Sequence, residues 1–194
     1  MFARRAKPLL ALAVGAALVV LAGCGGSGEE TATAPPPNYR AALAEAPKPL
    51  ARLYSHGDRL VTAGTQAFQA ELDAVRGYPV VVNKWASWCE PCRREFPYLQ
   101  RLSARYGKRV AFIGVDANDS SAAARTFLEE LPLPYPSFTD PDQNISRLVG
   151  ATAGFPATAY YDAGGQRVFV RQGQYASQAD LAADIRRYAL KGQE

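Results

Sequence analysis

The sequence predicts an α/β fold in three layers, a mixed sheet flanked on both sides by helices, and three observations carry that prediction. The run Val80-Val81-Val82-Asn83-Lys84-Trp85 lacks the alternation of a strand with one wet face, so it reads as a parallel strand buried on both sides. A helical pattern follows it and leads to a second buried run, Arg109 to Val115; strand, helix and strand in that order make a right-handed parallel crossover. Late in the chain, Ala157 to Tyr161 and Arg167 to Arg171 flank Asp162-Ala163-Gly164-Gly165, a hairpin signal that adds antiparallel strands.

The chain has 194 residues, enough for one domain with a full core and appendages, and its 48% hydrophobic and 21% charged residues are those of an ordinary globular protein. Its formal charge of +4 owes much to Arg4, Arg5 and Lys7. Without residues 1–23, 19 basic and 18 acidic residues remain, a balance that argues against nucleic acid as a partner. Residues 1–23 read as a targeting segment: a charged start, an apolar stretch from Leu9 to Leu21, then Leu21-Ala22-Gly23-Cys24 as a small-residue cleavage site. That tetrapeptide resembles a bacterial lipobox, which implies cleavage before Cys24, a lipid on Cys24, and a protein held at the outer face of the cytoplasmic membrane. The alternatives are an ordinary secretory signal or an uncleaved anchor. The apolar stretch is short for a spanning helix, and a lipid accounts for the odd cysteine. Disulfide chemistry suits such an extracytoplasmic location.

Residues 24–37, rich in Gly, Ser, Thr, Ala and Pro, form a flexible tether that cannot bury enough surface to fold. Residues 38–58 form an N-terminal arm with leucines at 43, 50 and 53, room for a short helix, and His56 as a surface residue. The domain proper spans residues 59–194. Arg59 to Thr62 reads as a short edge strand, and Thr65 to Arg76 as a helix with Phe68, Leu72 and Val75 on one face and Gly77 past its end. The helix after Cys92 carries Phe96, Leu99, Leu102 and Tyr106 at turn spacing, should kink at Pro97, and stops at Gly107. Ser120 to Leu131 reads as another helix, capped by Asp119 or Ser120; Pro132, Pro134 and Pro136 then force an irregular connection. Pro141 to Val149 suits a short helix and Gly150 to Gly154 a loop. Ser177 with Asp180 opens a final helix whose inner stripe is Leu181, Ile185, Tyr188 and Leu190.

The chemistry concentrates at Cys89-Glu90-Pro91-Cys92. Cys89 falls just before the helix, Cys92 in its first turn, and Pro91 where a missing N–H costs little. A thiol there faces unpaired backbone N–H groups and the positive end of the helix dipole, which stabilise the thiolate, the nucleophilic form. Two cysteines at this spacing fit a redox dithiol, a structural disulfide or half of a zinc site. Zinc needs four ligands, and the chain offers one further cysteine far upstream and one histidine. A bridge over so short a loop removes little unfolded-state entropy, so the redox reading is preferred. The dithiol also sits at the carboxyl end of a parallel strand, where open α/β sheets place their sites.

At these residues the chain resembles the thioredoxin superfamily and, within it, the membrane-anchored TlpA/ResA-like thiol:disulfide oxidoreductases. The resemblance rests on Trp85 to Cys92, on Glu95-Phe96-Pro97 and on Gly154-Phe155-Pro156-Ala157-Thr158, and covers roughly residues 60–190. It implies a thioredoxin-like sandwich and disulfide exchange without a cofactor or metal. Cys89 attacks and Cys92 resolves. Phe155-Pro156 is the counterpart of the family's cis-proline loop, which offers backbone to an extended substrate, and Trp88 contacts partners while Trp85 belongs to the core. Asn83 stands where related proteins carry a buried aspartate. An amide cannot take the proton of the resolving thiol, and Glu95, one turn beyond Cys92, resembles the glutamate given that role. The implied partners are cysteine-containing secreted proteins or apocytochromes c, a membrane redox partner, and the membrane itself through the lipid; a monomer is expected. Alternatives are an oxidant or isomerase for secreted proteins, a redox-inert surface lipoprotein, and a copper-binding module or peroxidase of the same fold. The Cys89/Cys92 spacing and the lack of a Thr three residues upstream argue against the peroxidase.

Overall fold

The computed structural model of the chain describes Phe2 and residues 35–192. The chain divides into two units, Met1–Glu30 and Thr31–Glu194, and the elements below lie in the second. Cys24 with the expected lipobox, the expected targeting segment (apart from Phe2) and most of the expected tether lie outside the described residues.

Six strands form one sheet: β1 (Leu60–Val61), β2 (Val80–Trp85), β3 (Ala111–Ala117), β4 (Ser137–Asp140), β5 (Ala157–Tyr161) and β6 (Arg167–Gln172), in the order β1-β4-β3-β2-β5-β6. Neighbours among the first four run parallel, β5 is antiparallel to β2, and β6 to β5. The helices are α1 (Tyr39–Ala42), α2 (Lys48–Tyr54), α3 (Gly64–Ala74), α4 (Glu90–Tyr106), α5 (Ser121–Glu130), α6 (Asn144–Leu148) and α7 (Gln178–Asp184), the last running into a π-helical turn at Ile185–Ala189. Two cores result, one on each face of the sheet. Val81 and Trp85 pack with Phe96 and Leu99 of α4, Phe127 of α5 and Leu181 of α7; Val80, Val82 and Ile113 pack with Phe68 of α3, Ile145 of α6, and Leu50 and Leu53 of α2. The mixed three-layer sandwich is the predicted fold.

The arm is tied to the domain by more than its leucines. The Tyr54 hydroxyl donates to the Val110 carbonyl at 2.6 Å and the Tyr39 hydroxyl to the Pro132 carbonyl at 2.9 Å. Leu43 stays partly exposed.

The structure differs from the sequence reading in several places, three of which have a visible physical reason. β4 was not expected: three of its four residues are polar and it follows three prolines, so no pattern marks it. Two of its polar side chains are satisfied from outside the strand, with Ser137 Oγ accepting from Trp85 Nε1 at 3.2 Å and Asp140 accepting from the Ile145 and Ser146 backbone. β3 starts at Ala111 because Arg109 and Val110 still donate to the Tyr106 carbonyl as α4 ends, and it runs on to pair Asp116 and Ala117 with β4. α6 starts at Asn144, with Gln143 before it in the left-handed region (φ 56°) and Asp140 capping its first N–H groups.

Candidate active site

β2 delivers the chain to the site and stops at Trp85, whose ring is locked in the core, stacked on Phe127 at 5.1 Å and edge-on to Phe96 at 5.3 Å. The next residues turn rather than extend. Cys89 N–H donates to the Ala86 carbonyl at 3.1 Å, and the turn is clamped from the β3–α5 loop: Ser87 N–H and Oγ both donate to the Asp119 carboxylate, and Trp88 Nε1 donates to the Asn118 carbonyl at 2.9 Å. These bonds consume the indole N–H while leaving the ring outward, and Trp88 is 56% exposed.

Cys89 is the residue that caps α4, and its Sγ accepts from the Cys92 N–H at 3.1 Å, which is the interaction that stabilises negative charge on that sulfur. Cys89 and Cys92 are joined in a disulfide with Cα atoms 5.2 Å apart. Both are buried, but Cys92 is wholly so and Cys89 retains 3% exposure, so of the two only Cys89 reaches the surface. Glu90 is exposed beside it, with Arg94 at 3.6 Å. Arg93 lies over the Phe127 ring and pairs with Glu130 at 2.8 Å.

Glu95 faces the core, 1% exposed, with Oε1 accepting from Asn83 Nδ2 at 2.9 Å and Oε2 from the Tyr175 N–H at 3.1 Å. Burial pushes its carboxyl up to about 7, against the pull of the Tyr175 N–H, the Asn83 amide and the Arg171 charge. A carboxyl with that value can either hold or release a proton near neutrality. Asn83 thus does not replace an acid; it orients one. Asn83 Nδ2 lies 3.3 Å from Thr158 Oγ1 as well, linking the central strand to the residue two beyond Pro156.

The peptide bond between Phe155 and Pro156 is cis, as the resemblance implies. The Phe155 ring meets Trp88 edge-on at 4.9 Å, so these two aromatic residues form one surface beside the dithiol turn. The preceding loop is fastened by Gln172, whose Nε2 donates to the Gly150 carbonyl at 2.8 Å. His56 lies elsewhere, its Nδ1 accepting from Arg59 at 3.2 Å.

Residues missed by the sequence reading stand around these. Tyr175 fixes Glu95, and its hydroxyl is itself held by Tyr160 at 2.6 Å and Asp184 at 2.8 Å. Asp116, at the end of β3 opposite Trp85, is buried and pushed up to about 8, first by burial and then by the neighbouring Asp119 and Asp140 carboxylates. The Lys84 ammonium is buried beneath Phe155. The Asp-x-x-Asp spacing at 116 and 119 was visible in the sequence, but nothing there places it against Ser87.

Residues 45–179 match the redoxin family. The chain belongs to that family. Among curated proteins, this redoxin is similar to the thiol:disulfide interchange protein DsbE of Pseudomonas fluorescens biotype C, 39% identical over 57% of this chain and 55% of the relative. It is also similar to the thiol-disulfide oxidoreductase ResA of Bacillus thuringiensis strain Al Hakam, 31% identical over 46% of this chain and 53% of that one. The match thus spans about half the length of these relatives. A crystal structure of a DsbE-type thiol:disulfide interchange protein from Chlorobium tepidum superposes with a TM-score of 0.54 at 28% identity, over 59% of this redoxin and 82% of that chain.

Proposed function

We propose that this redoxin is an extracytoplasmic thiol:disulfide oxidoreductase that reduces disulfides of secreted proteins, apocytochromes c among them. The observation that carries the reading is the Cys89–Cys92 disulfide at the mouth of α4, with the Cys92 N–H on Cys89 Sγ. The chemistry of its relatives, named as interchange proteins and oxidoreductases, supports it. In the reduced enzyme the Cys89 thiolate attacks one sulfur of a substrate disulfide, and the other leaves as a thiolate. Cys92 gives its proton to the Glu95 carboxylate and attacks Cys89 Sγ, which re-forms the Cys89–Cys92 bridge and releases the second substrate thiol. Two electrons pass to the substrate, and a membrane dithiol partner restores them. Phe155, Pro156 and Trp88 bind the substrate chain.

The reducing direction rests on Glu90. A carboxylate next to Cys89 opposes the helix dipole and raises the thiol's pKa, which weakens the over-stabilised reduced form that makes a strong oxidant. Arg94 offsets it only across 3.6 Å at the surface, where solvent screens the pair. The lipobox around Cys24 supports anchorage at the outer face of the membrane by lipid; among the described residues no helix is long and apolar enough to cross a membrane. Equilibrating the protein with defined glutathione ratios tests the direction. The expected potential is nearer about −270 mV than about −120 mV. A value at the oxidising end would overturn the reductase reading in favour of an oxidant or isomerase.

A further inference from the structure

Lys84 is the anomaly of β2. Its neighbours on the same face, Val80 and Val82, are core residues, and it is itself only 1% exposed. Burying an ammonium is costly unless all its donors find partners and an opposing charge is near. An ammonium has three N–H donors. Here Nζ donates to Gln143 Oε1 at 3.0 Å and to the Ala151 carbonyl at 3.0 Å, and lies 3.9 Å from the centre of the Phe155 ring. The Asp140 carboxylate acts on it as the opposing charge. The third interaction requires an electron-rich face, which an aliphatic residue at 155 would not supply. Both ends of the loop from Gly150 to Phe155 therefore converge on one buried cation: Ala151 by its carbonyl, Phe155 by its ring. The same ring forms the surface with Trp88, 4.9 Å away.

We infer that Lys84 is a positioning residue for substrate recognition, its buried ammonium fixing the Phe155 ring so that Phe155 and Trp88 form a rigid apolar subsite for the residue flanking the cysteine of an extended polypeptide. The inference rests on the reading of the Phe155-Pro156 loop as the peptide-binding surface. It assigns the substrate class more narrowly: disulfides of polypeptide segments with an aromatic or large aliphatic residue beside the cysteine are favoured over small disulfides, which need no such subsite. Lys84 takes no part in the exchange of sulfurs.

The test uses the full chain and two substrates, a disulfide peptide with a phenylalanine beside its cysteine and glutathione disulfide. Lys84→Met keeps the length of the side chain and removes the charge. The ratio of kcat/KM for the peptide to that for glutathione disulfide should fall about fivefold, through the peptide KM. Replacing Phe155 by increasingly fluorinated phenylalanines, which weaken the ring's negative face at nearly constant shape, should raise the peptide KM stepwise. Equal losses with both substrates in Lys84→Met, or a flat fluorination series, would overturn the role of Lys84; the series decides alone if Lys84→Met does not fold. A peptide KM unmoved by Phe155→Ala would overturn the loop as the peptide-binding surface, a separate result from a KM raised by Phe155→Ala and unmoved by Lys84→Met.

Discussion

Glu95 is held by two donors of fixed position, the Asn83 amide from the central strand and the Tyr175 N–H from the segment before α7. Its oxygens are therefore oriented whether or not the carboxyl is charged, and only its proton changes with pH. In the proposed role it must be ionised to accept the Cys92 proton. Burial raises its value to about 7, so the ionised fraction grows as pH rises through that point. The step in which Cys92 resolves the mixed disulfide should accelerate with pH across about 6 to 8. Glu95→Gln keeps the size of the side chain and cannot take up a proton, so the inflection near neutrality should vanish and the step should follow the thiol's own, more alkaline titration. Stopped-flow decay of a mixed disulfide on Cys89 measures this, and superimposable pH profiles for parent and variant would return Glu95 to a structural carboxyl. The sequence placed Glu95 one turn beyond Cys92, which is local information. It could not show Tyr175, because eighty residues separate the two and only the assembled fold brings them together.

At the scale of elements the same contrast holds. β2, the capped start of α4 and the β5–β6 hairpin were legible because their signals are local: an unbroken buried run, cysteine and proline at set helical positions, a Gly-rich turn. β4 was not, because Ser137, Thr139 and Asp140 are buried polar residues, and the partners of Ser137 and Asp140 lie on other elements. Its junction with β3 is tight. A Cβ added at Gly114 would lie 3.1 Å from Trp85 Nε1, 3.0 Å from Ser137 Cβ, and in outright collision with Ser137 Oγ. Gly114 is thus a glycine for lack of room, and the room it leaves lets Trp85 donate to Ser137. Gly114→Ala should destabilise the domain by about 1–3 kcal/mol, the usual cost of overpacking, as read from chemical denaturation. Ser137→Ala in the same background should recover part of the loss, since it removes the colliding oxygen. A neutral Gly114→Ala would show that β3 and β4 separate more easily than their register implies.

Taken whole, the molecule joins a buried dithiol to a candidate lipid site, and its three cysteines give a way to count them apart. Cys89 and Cys92 are joined in a disulfide, and the proposed chemistry has them cycle between disulfide and dithiol. Cys24 stands far upstream in the proposed lipobox, and a thioether-linked lipid would leave it no free thiol. Near-equal numbers of basic and acidic residues after position 23 give that part of the chain little electrostatic attraction for an anionic membrane, so in the proposed anchorage the lipid would have to supply the attachment. Protein extracted from membranes, fully reduced, denatured and alkylated should therefore gain two adducts on its cysteines. Cys24→Ser should leave the count at two while the protein is lost from the membrane fraction or remains unprocessed. Three adducts on the parent chain, or a Cys24→Ser form retained on membranes at the parent's mass, would refute lipidation at Cys24. The exchange chemistry assigned to Cys89 and Cys92 would stand unchanged, since it depends on the geometry at α4 and not on how the domain is held.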